Sequence, residues 1–183
     1  MFEMQKRNML TLIIVFAVVT LDQITKYLVT QFIPLHTEVG FIPWFINLTH
    51  VENEGASFGM FSDSRWVFML LSAVAIIGII IFLLLNKKRH TLLTIGLAFI
   101  LGGGIGNMID RIFRYTVVDF FEFTFVEFAI FNVADMFITF GAIILGVYLI
   151  FYDRTFNASK KAGAAKTVER DSDDDDITHT PER

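Results

Sequence analysis

Four apolar stretches, each close to twenty residues, dominate this chain of 183 residues and limit what it can fold into. They run from about Asn8 to Phe32, Trp66 to Leu85, Thr91 to Phe113 and Phe128 to Tyr152. A helix needs about 20 apolar residues to cross the hydrocarbon core of a bilayer. Within a bilayer every backbone polar group must be satisfied internally, so helices are the expected form. The composition agrees, with 54% hydrophobic residues and a mean hydropathy of +0.58, well above that of a soluble domain. Lys6 and Arg7 followed by an apolar run resemble the start of a signal peptide. However, DQITKYLVTQF follows instead of a small-residue cleavage site, so the first stretch reads as an uncleaved span.

The segments between the spans are short and distinct. Residues 34–64 form an insertion in which FINLTHV alternates like a strand, while Gly55 and Gly59 suggest turns. Trp44 and Trp66, the only tryptophans, fit a membrane interface. Asn86 to His90 is a basic hairpin, and residues 114–127 form an aromatic loop carrying Asp119. Four spans put both termini on one side. Lys6, Arg7, Lys87, Lys88, Arg89, Arg154, Lys160 and Lys161 all fall there. By the positive-inside rule that side is cytoplasmic. Residues 1–156 are therefore read as one transmembrane domain and residues 157–183 as a disordered cytoplasmic tail. The tail holds seven acids and five bases, so it supplies −2 of the net charge of −4. Asp173 to Asp176 read more simply as a solvated charge run than as a metal site.

Polar residues in apolar spans are functional candidates because they are costly there. Counting about 1.5 Å per residue, Asp22 lies about 21 Å into the first span, and Asn107 lies about 24 Å into the third. Asp110 is a turn further on, and Asp135 lies about 10 Å below the outer end of the fourth span. All four residues thus share the outer third of a core about 30 Å thick. Asp22 and Lys26 are four residues apart and can pair. Asn107 with Asp110, and Asn132 with Asp135, are spaced at i, i+3 on shared faces.

Plainer readings exist for most of these residues. Asp22 with Lys26, and Asp110 with Arg111, read as structural charge groups. Asn53, Asn107 and Asn132 read as interhelical hydrogen bonders, and the Gly102 to Gly106 run as a close-packing surface rather than a phosphate loop. Asp119 alone could be a loop carboxylate. Asp135 has no base within a helical turn, so it has the weakest structural explanation.

The inventory then restricts the chemistry. With no Cys, thiolate catalysis and disulfides are excluded, and the four scattered His form no metal-ligand motif, so no metal or cofactor is expected. A Ser57–Lys26 dyad is weakened by Asp22, the nearer partner of Lys26. Two carboxylates sharing a proton are the better candidate: the ionised member activates water and the protonated one polarises the scissile carbonyl. A small proton-coupled carrier would also explain buried carboxylates, although the two halves show no inverted repeat.

Five motifs occur in order: LDQITKYLV (Leu21 to Val29), VENEGASFGMF (Val51 to Phe61), GGGIGNMIDR (Gly102 to Arg111), VVDFF (Val117 to Phe121) and FNVADMFITFG (Phe131 to Gly141). Together they resemble the lipoprotein signal peptidases, also called signal peptidase II, over about residues 8–152. The resemblance implies a bacterial aspartic endopeptidase of the cytoplasmic membrane with Asp119 and Asp135 as its catalytic pair. It further implies substrate-binding or site-supporting roles for Asp22, Lys26, Asn53, Gly103, Asn107, Asp110, Arg111 and Asn132. The implied partners are membrane lipids and prolipoproteins, cut just before a diacylglyceryl-modified cysteine; globomycin-type peptides are the implied inhibitors. No nucleic-acid partner is expected. The implied fold is an all-α membrane protein, with four transmembrane helices, a small extracytoplasmic β-sheet and a short surface helix in the loop of Asp119. Ser57 and Met136 depart from the usual family pattern.

Overall fold

The computed structural model describes residues 2–55, 65–86 and 89–153. Ser57, Gly59, Lys87, Lys88 and the tail from Asn157 lie outside the described residues. Among the described residues, four helical stretches are long and apolar enough to cross a membrane, the fourth running from Val133 to Tyr152. They lie in α1 (Phe2–Phe32), α2 (Arg65–Leu85), α3 (Thr91–Phe113) and α4 (Val133–Tyr148) together with the turn that follows α4. A short π-helical turn, Leu149–Asp153, follows α4. Three strands, β1 (Glu38–Ile42), β2 (Ile46–Asn53) and β3 (Val117–Phe123), form one antiparallel sheet in the order β1-β2-β3. The chain divides into two units, Met1–Leu145 and Gly146–Arg183. The sheet and the site below belong to the first. In the second, Tyr148 and Tyr152 stack with ring centroids 6.2 Å apart.

The Gly-rich stretch packs α3 closely against its neighbours. A Cβ on Gly102 would lie 2.8 Å from the Cβ of Val18 on α1, closer than real side chains approach. A Cβ on Gly103 would collide with the Ala134 carbonyl in the first turn of α4. Small residues thus let three helix backbones converge where the polar residues lie, as packing in lipid requires.

Two expectations are corrected by the structure. Asp119 does not sit in a loop with a surface helix: it lies in β3, and residues 114–132 contain no helix. The run VVDFFEF is β-branched and aromatic, which favours a strand. It pairs along β2, with Val51 opposite Asp119 and Asn53 opposite Val117. The fourth helix begins at Val133 rather than near Phe128, because Asn132 caps it. The Asn132 side-chain oxygen accepts the Asp135 backbone N–H at 3.0 Å, and the Asp135 carboxylate accepts the Asn132 backbone N–H at 3.2 Å. This is a reciprocal capping box with Asp in the place of Glu. Upstream of the cap, Phe131 is extended and bridges to Phe121.

Candidate active site

Strand periodicity aims Asp119. Alternate side chains of a strand point to opposite faces. Val118 and Phe120 enter a core with Val29, Ile33 and Val133. Val117, Asp119, Phe121 and Phe123 face the other way and line a cavity of about 760 Å³. Asn53 from β2, Asn107 and Arg111 from α3, and Asp135 from α4 complete its polar wall. Phe45, Phe68, Phe128, Phe131 and Phe140 contribute to its apolar wall.

One amide ties the two carboxylates together. Asn132 Nδ2 donates to Asp119 Oδ1 at 2.6 Å, while the Asn132 backbone N–H donates to Asp135 Oδ2. Asn107 Nδ2 donates to Asp135 Oδ1 at 2.8 Å, and Asn53 Nδ2 to Asp119 Oδ2 at 2.9 Å. The Asn53 oxygen accepts the Gly55 backbone N–H at 3.0 Å, which fixes the amide's orientation. Burial pushes the Asp119 carboxyl up to about 6, and the nearby Asp135 charge adds to the rise. The amides of Asn53 and Asn132, and the more distant Lys26 charge, oppose it.

Behind this wall lies a fully buried charge cluster. Lys26 Nζ contacts Asp22 Oδ2 at 3.0 Å and Asp110 Oδ2 at 2.8 Å, and donates to Asn107 Oδ1 at 2.8 Å. An ammonium has three donors, so these oxygens saturate it and leave Lys26 unsuited to act as a base for a serine. Asp22 Oδ1 accepts the Ala134 backbone N–H at 2.9 Å and so fastens α1 to the start of α4. Asn107 Oδ1 also accepts from Asn132 Nδ2 at 3.1 Å. A continuous chain of contacts thus runs from Lys26 through Asn107 to both carboxylates.

All ten site residues expected from the sequence fall in this region, in different positions. Asn53, Asn107, Arg111, Asp119 and Asp135 line the cavity. Asp22, Lys26, Gly103, Asp110 and Asn132 stand behind it. Asp110 and Arg111 share a charge group in which the Asp110, Asp119 and Asp135 charges all act on the Arg111 guanidinium, but the two neighbours make no direct ion pair. Consecutive helix residues do not face each other, and Asp110 turns to Lys26, with Arg114 at 3.8 Å. Arg111 instead lies over the Phe68 ring, 5.8 Å from its centroid. Gln23 escaped the sequence reading. Its Nε2 lies 3.2 Å from each of Asp22 Oδ2, Gly106 O and Asp110 Oδ1. Its place beside Asp22, one residue off the polar stripe, was the available signal.

Membrane-length helices enclosing a bridged pair of aspartates place the protein in the class of membrane aspartic endopeptidases. The family Signal peptidase (SPase) II matches residues 14–151. A lipoprotein signal peptidase of Symbiobacterium thermophilum is 41% identical over 148 residues, covering 80% of this chain and 97% of that protein. One of Brevibacillus brevis is 42% identical over 139 residues, covering 75% and 93%. A bacterial membrane enzyme solved by the in meso method superposes with a TM-score of 0.72 at 29% identity. That match covers 76% of this chain and 87% of the other. The chain belongs to the signal peptidase II family. Nothing in these comparisons favours a proton-coupled carrier.

Proposed function

We propose that Asp119 and Asp135 are the catalytic dyad with which this signal peptidase II removes signal peptides from prolipoproteins. The cut falls just before a cysteine carrying a diacylglyceryl group. The observation that carries this reading is the Asn132 bridge, which holds both carboxylates on one cavity wall. Asp119, pushed up to about 6, holds the shared proton. Asp135 draws a proton from the attacking water. Asp119 donates its hydrogen bond to the scissile carbonyl and passes that proton to the leaving amine as the tetrahedral intermediate collapses and the C–N bond breaks, while Asp135 holds the proton taken from water. Lys26, Asp22, Asp110 and Asn107 position the dyad, and Gly103 lets α4 approach α3.

Residues 1–156 form the peptidase domain and residues 157–183 an acidic tail with no part in cleavage. Both termini are cytoplasmic, and the sheet and dyad face the outer side of the cytoplasmic membrane. Membrane lipid surrounds the bundle, the acyl chains of the substrate lie against the phenylalanine walls, and globomycin-type peptides compete for the same cavity. The test is release of signal peptide from a diacylglyceryl-modified prolipoprotein by the purified protein. Asp119→Asn and Asp135→Asn should each abolish release while the protein stays folded, because an amide cannot exchange the required proton. The double variant should be little worse than either single one. Substantial turnover by a single variant would remove the aspartic mechanism.

A further inference from the structure

Thr139 is a polar side chain of the cavity that plays no part in the dyad or its support. Thr139 lines the cavity one helical turn beyond Asp135 on α4. Helical threonines commonly turn their hydroxyl back onto a carbonyl of the preceding turn. Thr11 does so to Arg7 at 2.9 Å, Thr25 to Leu21 at 2.9 Å and Thr94 to His90 at 3.2 Å. Thr139 makes no such bond to Asp135, nor any hydrogen bond to another described residue. Thr139 is exposed on this wall, so its hydroxyl is open to a visiting group. Its α4 neighbours on the cavity wall beyond Asp135 are Met136 and Phe140, both without a strong donor.

The substrate brings an acceptor of the right kind. A signal peptide crosses the bilayer as a helix, yet its scissile bond must reach the dyad in an extended segment. Where the helix ends, its last four carbonyls lose their intrahelical partners, and hydrocarbon offers no replacement. Thr139 lies four residues from Asp135, about 6 Å along the helix axis. An extended chain covers that distance in about two residues. Building on the proposed peptidase function, we infer that Thr139 is a substrate-positioning residue. Its hydroxyl donates to the signal-peptide carbonyl two residues before the scissile one. The inference adds an anchor on the signal-peptide side of the cut to the groups that surround the dyad.

The test uses the full-length protein in detergent micelles with a semisynthetic, diacylglyceryl-modified prolipoprotein. Thr139→Val keeps the side-chain shape and removes the hydroxyl; Thr139→Ser keeps the hydroxyl. Loss of one hydrogen bond to a desolvated carbonyl predicts a fall of about tenfold in kcat/KM for Thr139→Val. Thr139→Ser should recover to within about threefold of the parent. A matched substrate carrying a thioamide, a weaker acceptor, in place of that carbonyl should shrink the difference between the parent and the Thr139→Val variant. A purely structural role would leave the difference the same for both substrates. Equal cleavage by Thr139→Val and the parent would overturn the inference, as would a thioamide substrate that leaves the difference intact. Failure of the parent protein to release any signal peptide would instead overturn the peptidase reading.

Discussion

Asn53 and Asn132 both donate to Asp119, yet the structure gives them separable roles. Asn132 also caps α4 and reaches Asp135, so its removal would disturb the helix start along with the dyad. Asn53 touches only Asp119 among the dyad members, and its amide stabilises the ionised carboxylate. Burial dominates the upward shift of Asp119 to about 6. The sign of the pH dependence follows: the proton is present below about 6 and is lost above it. An exposed aspartate releases its proton near 4, so between about 4 and 6 the folded state binds more protons than the unfolded one. The Asp119 contribution to stability therefore declines as pH rises through that window. For catalysis, kcat/KM of the free enzyme should fall on the alkaline side with an apparent value near 6. The kcat limb should lie higher, since bound substrate excludes more water from the carboxyl. Asn53→Ala removes a bond that favours the charged form, so it should move the kcat/KM limb upward while lowering the rate. A pH series on parent and variant checks this, and a limb that stays in place or moves down contradicts the assignment of the proton to Asp119.

The elements differ in how far their sequence revealed them. The α3 limits, Thr91 to Phe113, agree with the apolar stretch, because His90 caps the start and its ring nitrogen accepts the Leu92 N–H. FINLTHV correctly announced β2 by its alternation. The strand of Asp119 was less legible. Val117-Val118 and Phe120-Phe121 are apolar on both faces, since one face meets the core and the other the cavity, and this hides the period-two pattern. The start of α4 was misplaced for a related reason: Phe128 to Phe131 are as apolar as a span, and the capping box alone marks the boundary. The convergence of Asp22, Asn107, Asp110 and Asp135 was legible from helix rise and topology. The partner of Asp110 was not, because it depends on rotation of α3 about its axis. That rotation is set by close packing at Gly102 and Gly103, which gives a prediction for the element. Gly103→Ala would drive a methyl into the Ala134 carbonyl and push α4 from α3 beside Asp135. It should lower both thermal stability in detergent and peptidase activity, the latter by at least about tenfold, as a small misplacement of reacting groups can. Gly104→Ala, whose Cβ would meet Ile76 at an ordinary 3.5 Å, should be tolerated. Equal behaviour of the two variants would disconnect the glycine contact from the site.

At the scale of the whole molecule, the orientation of the bundle decides which compartment supplies water and substrate. The chain has no native cysteine, so single cysteines report topology cleanly. Glu127→Cys, at an exposed position beside the sheet, should react with an impermeant maleimide on intact cells, and Asn86→Cys, between α2 and α3, should not. The reverse pattern would put the dyad on the cytoplasmic side. In the proposed orientation the dyad faces outward, and a substrate carrying its lipid on the residue that follows the cut would reach it laterally. Acyl chains gain about 0.8 kcal/mol per methylene on leaving water, but a substrate already in the bilayer has that energy before it meets the enzyme. Contact with Phe68, Phe128 and Phe140 therefore adds little transfer energy. What it would supply is orientation, placing the scissile carbonyl beside Asp119 and Asp135 on the cavity wall. Matched prolipoproteins with and without the diacylglyceryl group should thus differ mainly in kcat/KM, the unmodified one being cut at least about tenfold more slowly in the same micelles. Globomycin should suppress cleavage of both if it competes for the cavity as proposed. Equal rates for the two substrates would defeat lipid positioning and leave the dyad standing, because neither aspartate depends on the acyl chains for its hydrogen bonds.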